Sequence, residues 1–411
     1  MTSPAYQVRT VHCDHRSSDE DVYQALRRAA DPLERSWARL GRARRIAVKF
    51  NQDKAPKNVV MMAGQRQQLV SDSVMRATLR LLRERTSAEI VCVDVSYYVT
   101  YNNETIADTC NVAPLLREFK VPYLDGTKPP FRTVPTPNGG LMFERYTMME
   151  GLVDADEVVS VATIKNHAFM GVTGCLKNLF GLMPTEPYGR PRTYYHHLVR
   201  MPGMLADMGQ ILDPALNIVD ALVGQAGQEW SAHGTPDGRI VDALIAGDHV
   251  IATDAAMMHL MGHDPQADWG TPPFHRDRNP LLVAAEGGFG TVDLNEVDYT
   301  TEVEPQPAGS FYAIQTDSDE TNSTWRRTMC EQALFYRDNP ELFEQYAGEY
   351  ILLQDGEVRW HNKNGRIYVS RRELAGAHRD HAMFYKFVDP EEAEGEHYDV
   401  YERALAAMQP V

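Results

Sequence analysis

Hydrophobic and polar positions follow two periods along this chain. Val158-Val159-Ser160-Val161-Ala162-Thr163-Ile164 is apolar or β-branched at nearly every position, the pattern of a strand covered on both faces. Arg45–Phe50 and Glu89–Val95 repeat it. Between them, Ser71–Arg85 places Met75, Leu79 and Leu82 on one helical face behind a Ser71-Asp72 N-cap. A strand, a helix and a strand in that order predict a parallel sheet with a right-handed crossover. Further strands are expected at Val121–Leu124, at Ala215–Asp220, where the strand ends on a carboxylate, and at Val241–Ala246. Helices are expected over 20–40, near Ala113–Phe119, over Met204–Leu212, and from Asp254 to Met261. Past Val303 the pattern changes. A helix is predicted over Trp325–Gln345, followed by a hairpin of Tyr346–Leu353 with Glu357–Trp360 about an Asp355-Gly356 turn, and Ala382–Val388 adds a strand.

The predicted fold is therefore α/β over residues 1–301, a mainly parallel sheet with helices on both faces, with a small α+β appendage over 302–411. The Pro- and Gly-rich stretch 97–150 is expected to form a lid or cover over the sheet.

Composition narrows the function. A net charge of -16 over 411 residues argues against a nucleic-acid binder, which needs a basic face to neutralise phosphates. No apolar run is long enough to cross a bilayer, and the N-terminus lacks a signal-peptide core. A cytoplasmic protein with a small-molecule partner and no nucleic-acid or membrane partner is expected. Cys13, Cys92, Cys110, Cys175 and Cys330 are scattered without any C-x-x-C pair, so reduced thiols are expected and no iron–sulfur cluster or zinc ribbon. Oligomeric state leaves no signal.

Candidate chemistry concentrates in Asp154–Pro184, where the central strand runs into a polar cluster and a Gly-rich turn, at the carboxyl end where open α/β sheets place their sites. His167 titrates near neutral pH and suits acid–base work or metal ligation; the bland reading is a strand-end histidine bonded to backbone. Lys165 and Lys177 suit an anion or a developing oxyanion, or are surface lysines at a helix start. Gly171, Thr173, Gly174 and Asn178 form a turn where backbone can approach a cofactor, without Walker P-loop spacing. Asp220 and Asp254 enter or follow apolar runs, so burial demands a partner. They orient the lysines or share a metal with His167, and helix capping is the alternative for Asp254. Asn51, Asp53 and Lys54 after the first strand, and Asp94 and Ser96 after the second, are candidate ligand-binding residues. A divalent metal on His167, His196 and His197 is a further candidate; His259, His263 and His275 are weaker ones.

Ala155-Asp156-Glu157-Val158, Lys165-x-His167, Gly171-Val172-Thr173-Gly174 and Leu176-Lys177-Asn178-Leu179-Phe180-Gly181, with Asn217–Asp220, Gly247-Asp248, Ala252-Thr253-Asp254 and Leu260–Pro265, resemble the domain of unknown function 362 family over residues 45–300. That resemblance implies the fold better than an activity. Some relatives carry ferredoxin-type clusters, for which this chain lacks the cysteines. His167 followed ten positions later by Lys177 is also distantly similar to the lactate racemase family, in which the histidine transfers a proton and the lysine holds a nickel-pincer nucleotide. This chain departs from that pattern: Cys175-Leu176 replaces a glycine and its neighbour, and no proline-glycine follows the lysine. The metal-binding histidine is not at the same distance either, which leaves His196 or His197 to substitute. The resemblance implies shared proton-transfer geometry rather than the pincer group. The leading expectation is thus an isomerase- or lyase-like enzyme doing proton-transfer chemistry on a small anionic or carbonyl-bearing substrate. The alternative is a protein that binds a metal or an anionic cofactor without turnover.

Overall fold

A computed structural model describes residues 5–96, 105, 109–186, 188–227 and 237–408. The start of the expected cover at Tyr97 lies outside the described residues, as does Gly234, whereas Gly224 and Gly238, expected with Gly227 and Gly234 to make a loop, lie in strands. The main sheet is built from β1 (Gln7–His12), β2 (Arg45–Phe50), β3 (Glu89–Asp94), β4 (Tyr123–Asp125), β5 (Glu157–His167), β6 (Gly171–Thr173), β7 (Leu216–Ala226), β8 (Asp237–Gly247) and β9 (Asp298–Thr301). Across the sheet the order is β9-β1-β8-β7-β5-β2-β3-β4, with β6 folded back on β5. β5 runs parallel to β7 and β2, and β2, β3 and β4 are mutually parallel. β8 is antiparallel to both its neighbours. The architecture is the expected α/β one, a mainly parallel mixed sheet.

Alternation along β5 sorts the core into two layers. Val159 and Val161 pack with α1 (Asp19–Ala30) and α2 (Asp72–Arg85). Ala162 and Ile164 pack with α3 (Cys175–Asn178), α4 (Arg200–Leu212) and α5 (Val250–Leu260). Each fully buried Leu, Val or Ile in these layers contributes about 1.5–3 kcal/mol.

Several elements differ from the sequence pattern. The 20–40 helix is broken after Ala30, where Asp31-Pro32 intervenes and a second helix starts at Glu34, because proline has no N–H to continue the ladder. β7 does not end on Asp220 but continues to Ala226, with an irregularity against β8 between Ala221 and Val223. β5 likewise includes Lys165-Asn166-His167. β1 and β9 were not expected. The 97–150 stretch supplies the edge strand β4 and a hairpin of Phe131–Pro135 with Arg145–Met149. Past residue 302, α6 (Asp319–Asp338) stops before Pro340 and a short helix covers Glu341–Tyr346. A three-stranded antiparallel sheet follows, with β10 (Tyr350–Gln354) between β11 (Glu357–Asn362) and β12 (Phe384–Phe387). Its apolar residues join the same buried cluster as α4 and α5. Among the described residues no helix is long and apolar enough to cross a membrane.

Candidate functional site

The last residues of β5 stay buried and the chain turns back as β6, with Lys165 opposite Thr173 and His167 opposite Gly171. Gly171 has a φ of +73°, and a Cβ there would lie 2.7 Å from the Phe274 ring, so this turn requires glycine. Opposite residues of an antiparallel pair share a face, so Lys165 and Thr173 project together, and β7 sets Gln225 beside them. Lys165 is 1% exposed and donates from Nζ to the Gln68 carbonyl at 3.0 Å. Beside this lysine lie buried polar atoms with no hydrogen-bond partner, both side-chain ends of Gln68 and Thr173 Oγ1; Asn166 Oδ1 on the opposite face of β5 and Asn51 Oδ1 after β2 lack one as well. Asn51 is held there by its own amide, which donates to Val161, and by its carbonyl, which accepts from Val70. An unsatisfied buried polar group costs about 1–3 kcal/mol, so a cluster of them at strand carboxyl ends is a place where a polar ligand gains hydrogen bonds.

His167 is nearly buried, and its Nδ1 accepts from the amides of Phe169 and Met170 at 3.0 and 3.1 Å. With Nδ1 occupied as an acceptor, the neutral ring carries its proton on Nε2. His196 lies 5.8 Å away, centroid to centroid, and 4.7 Å from Phe169. His197 faces elsewhere: its Nε2 accepts from the Tyr385 amide at 3.1 Å. Burial, then the charges of Arg200 and Arg371, holds the His197 pKa well below the usual imidazole range. The three histidines therefore do not turn donor nitrogens toward one point. Among the described residues the groups with metal-ligand spacing are Asp14–His15–Asp242 and Asp355–His378–His381, and neither includes His167, His196 or His197. His259 packs edge-on against Tyr299, while His263 Nε2 meets the Asn166 amide at 3.3 Å; the two do not converge either.

The remaining candidates hold the framework. Asp254 accepts from the amides of Cys175 and Leu176, both at 2.8 Å, capping α3 from α5. A Cβ on Gly174 would fall 2.5 Å from that carboxyl group, which explains the second glycine of Gly171-Val172-Thr173-Gly174. Burial raises the Asp254 pKa to about 7, against the two amides. Asp220 accepts from the amides of Ser71 and Leu222, tying the start of α2 to the irregular point of β7, and burial raises its pKa. Asn178 donates to the Lys49 and Val161 carbonyls and to Ser160 Oγ. Lys177 is half-buried on α3, and Lys54 is buried with its carbonyl accepting from Asn111. Asp94, at the end of β3, forms a buried ion pair with Lys49 at 3.0 Å and accepts from Gln52 at 2.6 Å. Asp53 accepts from Ser96. Lys49 went unremarked in the sequence, although a lysine inside Ile46-Ala47-Val48-Lys49-Phe50 is signal enough that a buried partner exists.

His196 and Phe169 also form part of the wall of a cavity of about 640 Å³, completed by α6 and the segment leading into β12. Arg276, Arg371, Arg372 and Arg379 line it. Sequence reading missed these residues.

The family model described as Domain of unknown function (DUF362) matches residues 47–259, more than half of the chain, and the chain belongs to that family. A thylakoid-associated protein of Synechocystis sp., sll1697, is 27% identical over 165 residues, covering 39% of this chain and 48% of that protein. The match thus spans about half the length of this curated relative. Among solved structures, the lactate racemase apoprotein from Thermoanaerobacterium thermosaccharolyticum superposes with a TM-score of 0.37 and 16% identity, over 62% of this chain and 57% of that one. No residue role passes to this chain from a likeness of that degree.

Proposed function

We propose that this protein is an enzyme that moves a proton on a small anionic or carbonyl-bearing substrate, in an isomerisation, elimination or cyclisation, at the carboxyl ends of β5 and β7. The observation that carries the reading is the fully buried Lys165, set among amide and hydroxyl groups that lack partners. A buried cation beside unsatisfied donors and acceptors is costly to fold and is suited to an oxyanion that forms during a reaction. His167, fixed as an Nε2–H donor by two backbone amides, polarises the substrate oxygen. His196, half-buried beside it, exchanges the proton with carbon. Asp220 and Asp254 position the elements that frame the site, through the amides they hold.

The test is deuterium incorporation, followed by proton NMR, at the carbon next to the carbonyl in a panel of 2-oxo and 3-oxo acids. Lys165→Met and His167→Ala should each lower exchange by about 100-fold or more while the circular dichroism spectrum is retained. Exchange that both variants leave unchanged rules the reading out. The rival, a carrier that holds an anionic ligand without turnover, predicts tight ligand retention with no exchange in the native protein.

A further inference from the structure

We infer that the cavity between the main sheet and the C-terminal three-stranded sheet binds a multiply charged organic anion, an apolar or planar body bearing two or more carboxylate or phosphate groups. This deepens the reading above, on which it rests for the anion being a substrate. The chain spends most of its arginines on carboxylates, as Arg39, Arg80 and Arg278 illustrate. The four cavity arginines are among those that it does not. None of Arg276, Arg371, Arg372 and Arg379 has an ion pair within 4.0 Å among the described residues, and Asp317 is the one carboxylate in the lining.

Arg276 is the most confined of the four. Its guanidinium lies 4.9 Å from the Phe169 ring and 5.3 Å from Trp325, and its Nε is buried without a hydrogen-bond partner. Desolvation lowers its pKa, with Asp317 acting in the opposite direction. Arg371, Arg372 and Arg379 are exposed along the cavity rim, and desolvation of the Arg371 guanidinium lowers its pKa. Four guanidinium groups line one cavity, and an anion bound there gains charge-assisted hydrogen bonds from them. Guanidinium groups suit bidentate carboxylate or phosphate contacts. Trp325, Met329 and Met383 give the same cavity an apolar wall. A volume of about 640 Å³ is in the range of sites that enclose drug-sized ligands. On a protein of net charge -16, such a recess concentrates positive potential where the surface average is negative. His196 stands in its wall, 5.8 Å from His167, so an anion held by the arginines lies next to the histidine pair.

The test is isothermal titration calorimetry at low ionic strength with trimesate (a benzene ring with a carboxylate on alternate carbons), benzoate and inorganic pyrophosphate. Trimesate should saturate one site per chain, and benzoate should bind at least about tenfold more weakly. Pyrophosphate matching or exceeding trimesate assigns the site to phosphorylated ligands; the reverse assigns it to polycarboxylates. Arg276→Met, and separately the double change Arg371→Met with Arg379→Met, should weaken binding at least about tenfold. Arg42→Met, at an exposed arginine, should leave binding unchanged. Trp325 fluorescence should respond to the bound probe, and that response should vanish in Trp325→Phe. Failure of both polyanions to saturate, or equal affinity in the cavity variants, overturns the inference. The two readings are separated in the native protein: polyanion binding without any deuterium exchange keeps the cavity and removes the catalytic role. Exchange indifferent to the arginines does the opposite.

Discussion

Replacing Glu396 by glutamine tests how the C-terminal sheet is fastened to the main one. The Glu396 side chain is fully buried and accepts from Arg200 at 2.8 and 3.1 Å, from Lys386 at 2.9 Å and from the Tyr401 hydroxyl at 2.6 Å. Arg200 is itself fully buried and also donates to the carbonyls of Tyr194 and Tyr385. Glu396→Gln keeps the volume but leaves buried Arg200 without an anion and Lys386 with Glu392 alone, at 3.0 Å. Breaking such a pair costs about 3–5 kcal/mol. The carboxylate's own ionisation gives a second route to the magnitude. Burial opposes the charge, but Arg200 and Lys386 outweigh it and lower the pKa from 4.5 to about 2. At 1.36 kcal/mol per unit, that displacement corresponds to about 3 kcal/mol. The two figures agree. Because the folded value is the lower one, this stabilisation is fully present above about pH 4.5 and disappears as pH falls toward 2. Urea unfolding of the native chain and of Glu396→Gln, at neutral pH and down the acid limb, measures both quantities. A neutral-pH difference below about 1 kcal/mol, or acid limbs of equal steepness in the two proteins, refutes the reasoning.

Other expectations follow from single side chains. Asp254 has its pKa raised from 3.8 to about 7, so the native state holds the extra proton and stability falls as pH rises through that window, by up to about 4 kcal/mol; Asp254→Asn should flatten that slope in pH-dependent urea unfolding while losing one cap at acid pH. Lys165→Met removes a buried charge and the donor to the Gln68 carbonyl, so deuterium exchange should fall by about 100-fold or more while the circular dichroism spectrum is retained; exchange at the native rate refutes the role of this lysine. Gly174→Ala should cost more than about 2 kcal/mol because of the Asp254 carboxyl group, and much less in an Asp254→Ala background, a coupling that a double-mutant cycle by chemical denaturation reads directly.

The parts of this molecule that were legible in sequence are those whose neighbours are generic. Val158–Ile164 needs only apolar cover on two faces, and its β-branched run says so whatever packs there. The last two strands on one side of the sheet, β1 and the edge strand β9, were hidden for the opposite reason. Gln7–His12 and Asp298–Thr301 carry charged and hydroxyl residues on a face open to water, so their composition matches that of a loop. Asp220 read as the end of a strand because a carboxylate within an apolar run normally marks an exit. Here the Ser71 and Leu222 amides satisfy it, and the strand continues beyond it. In the central motif, one histidine and two glycines proved to have separate physical reasons: Gly171 for the turn, Gly174 for the Asp254 carboxyl group, and His167 for two backbone amides at Nδ1. The arginine cavity could not be read at all, because net charge averages over the whole chain and its lining comes from stretches around residues 169, 196, 276, 325 and 371–383. Only folding brings those guanidinium groups onto one wall. A composition that argues against a basic surface is therefore compatible with one basic recess that opens to solvent, and there the negative overall charge sharpens the contrast a small anion meets on approach.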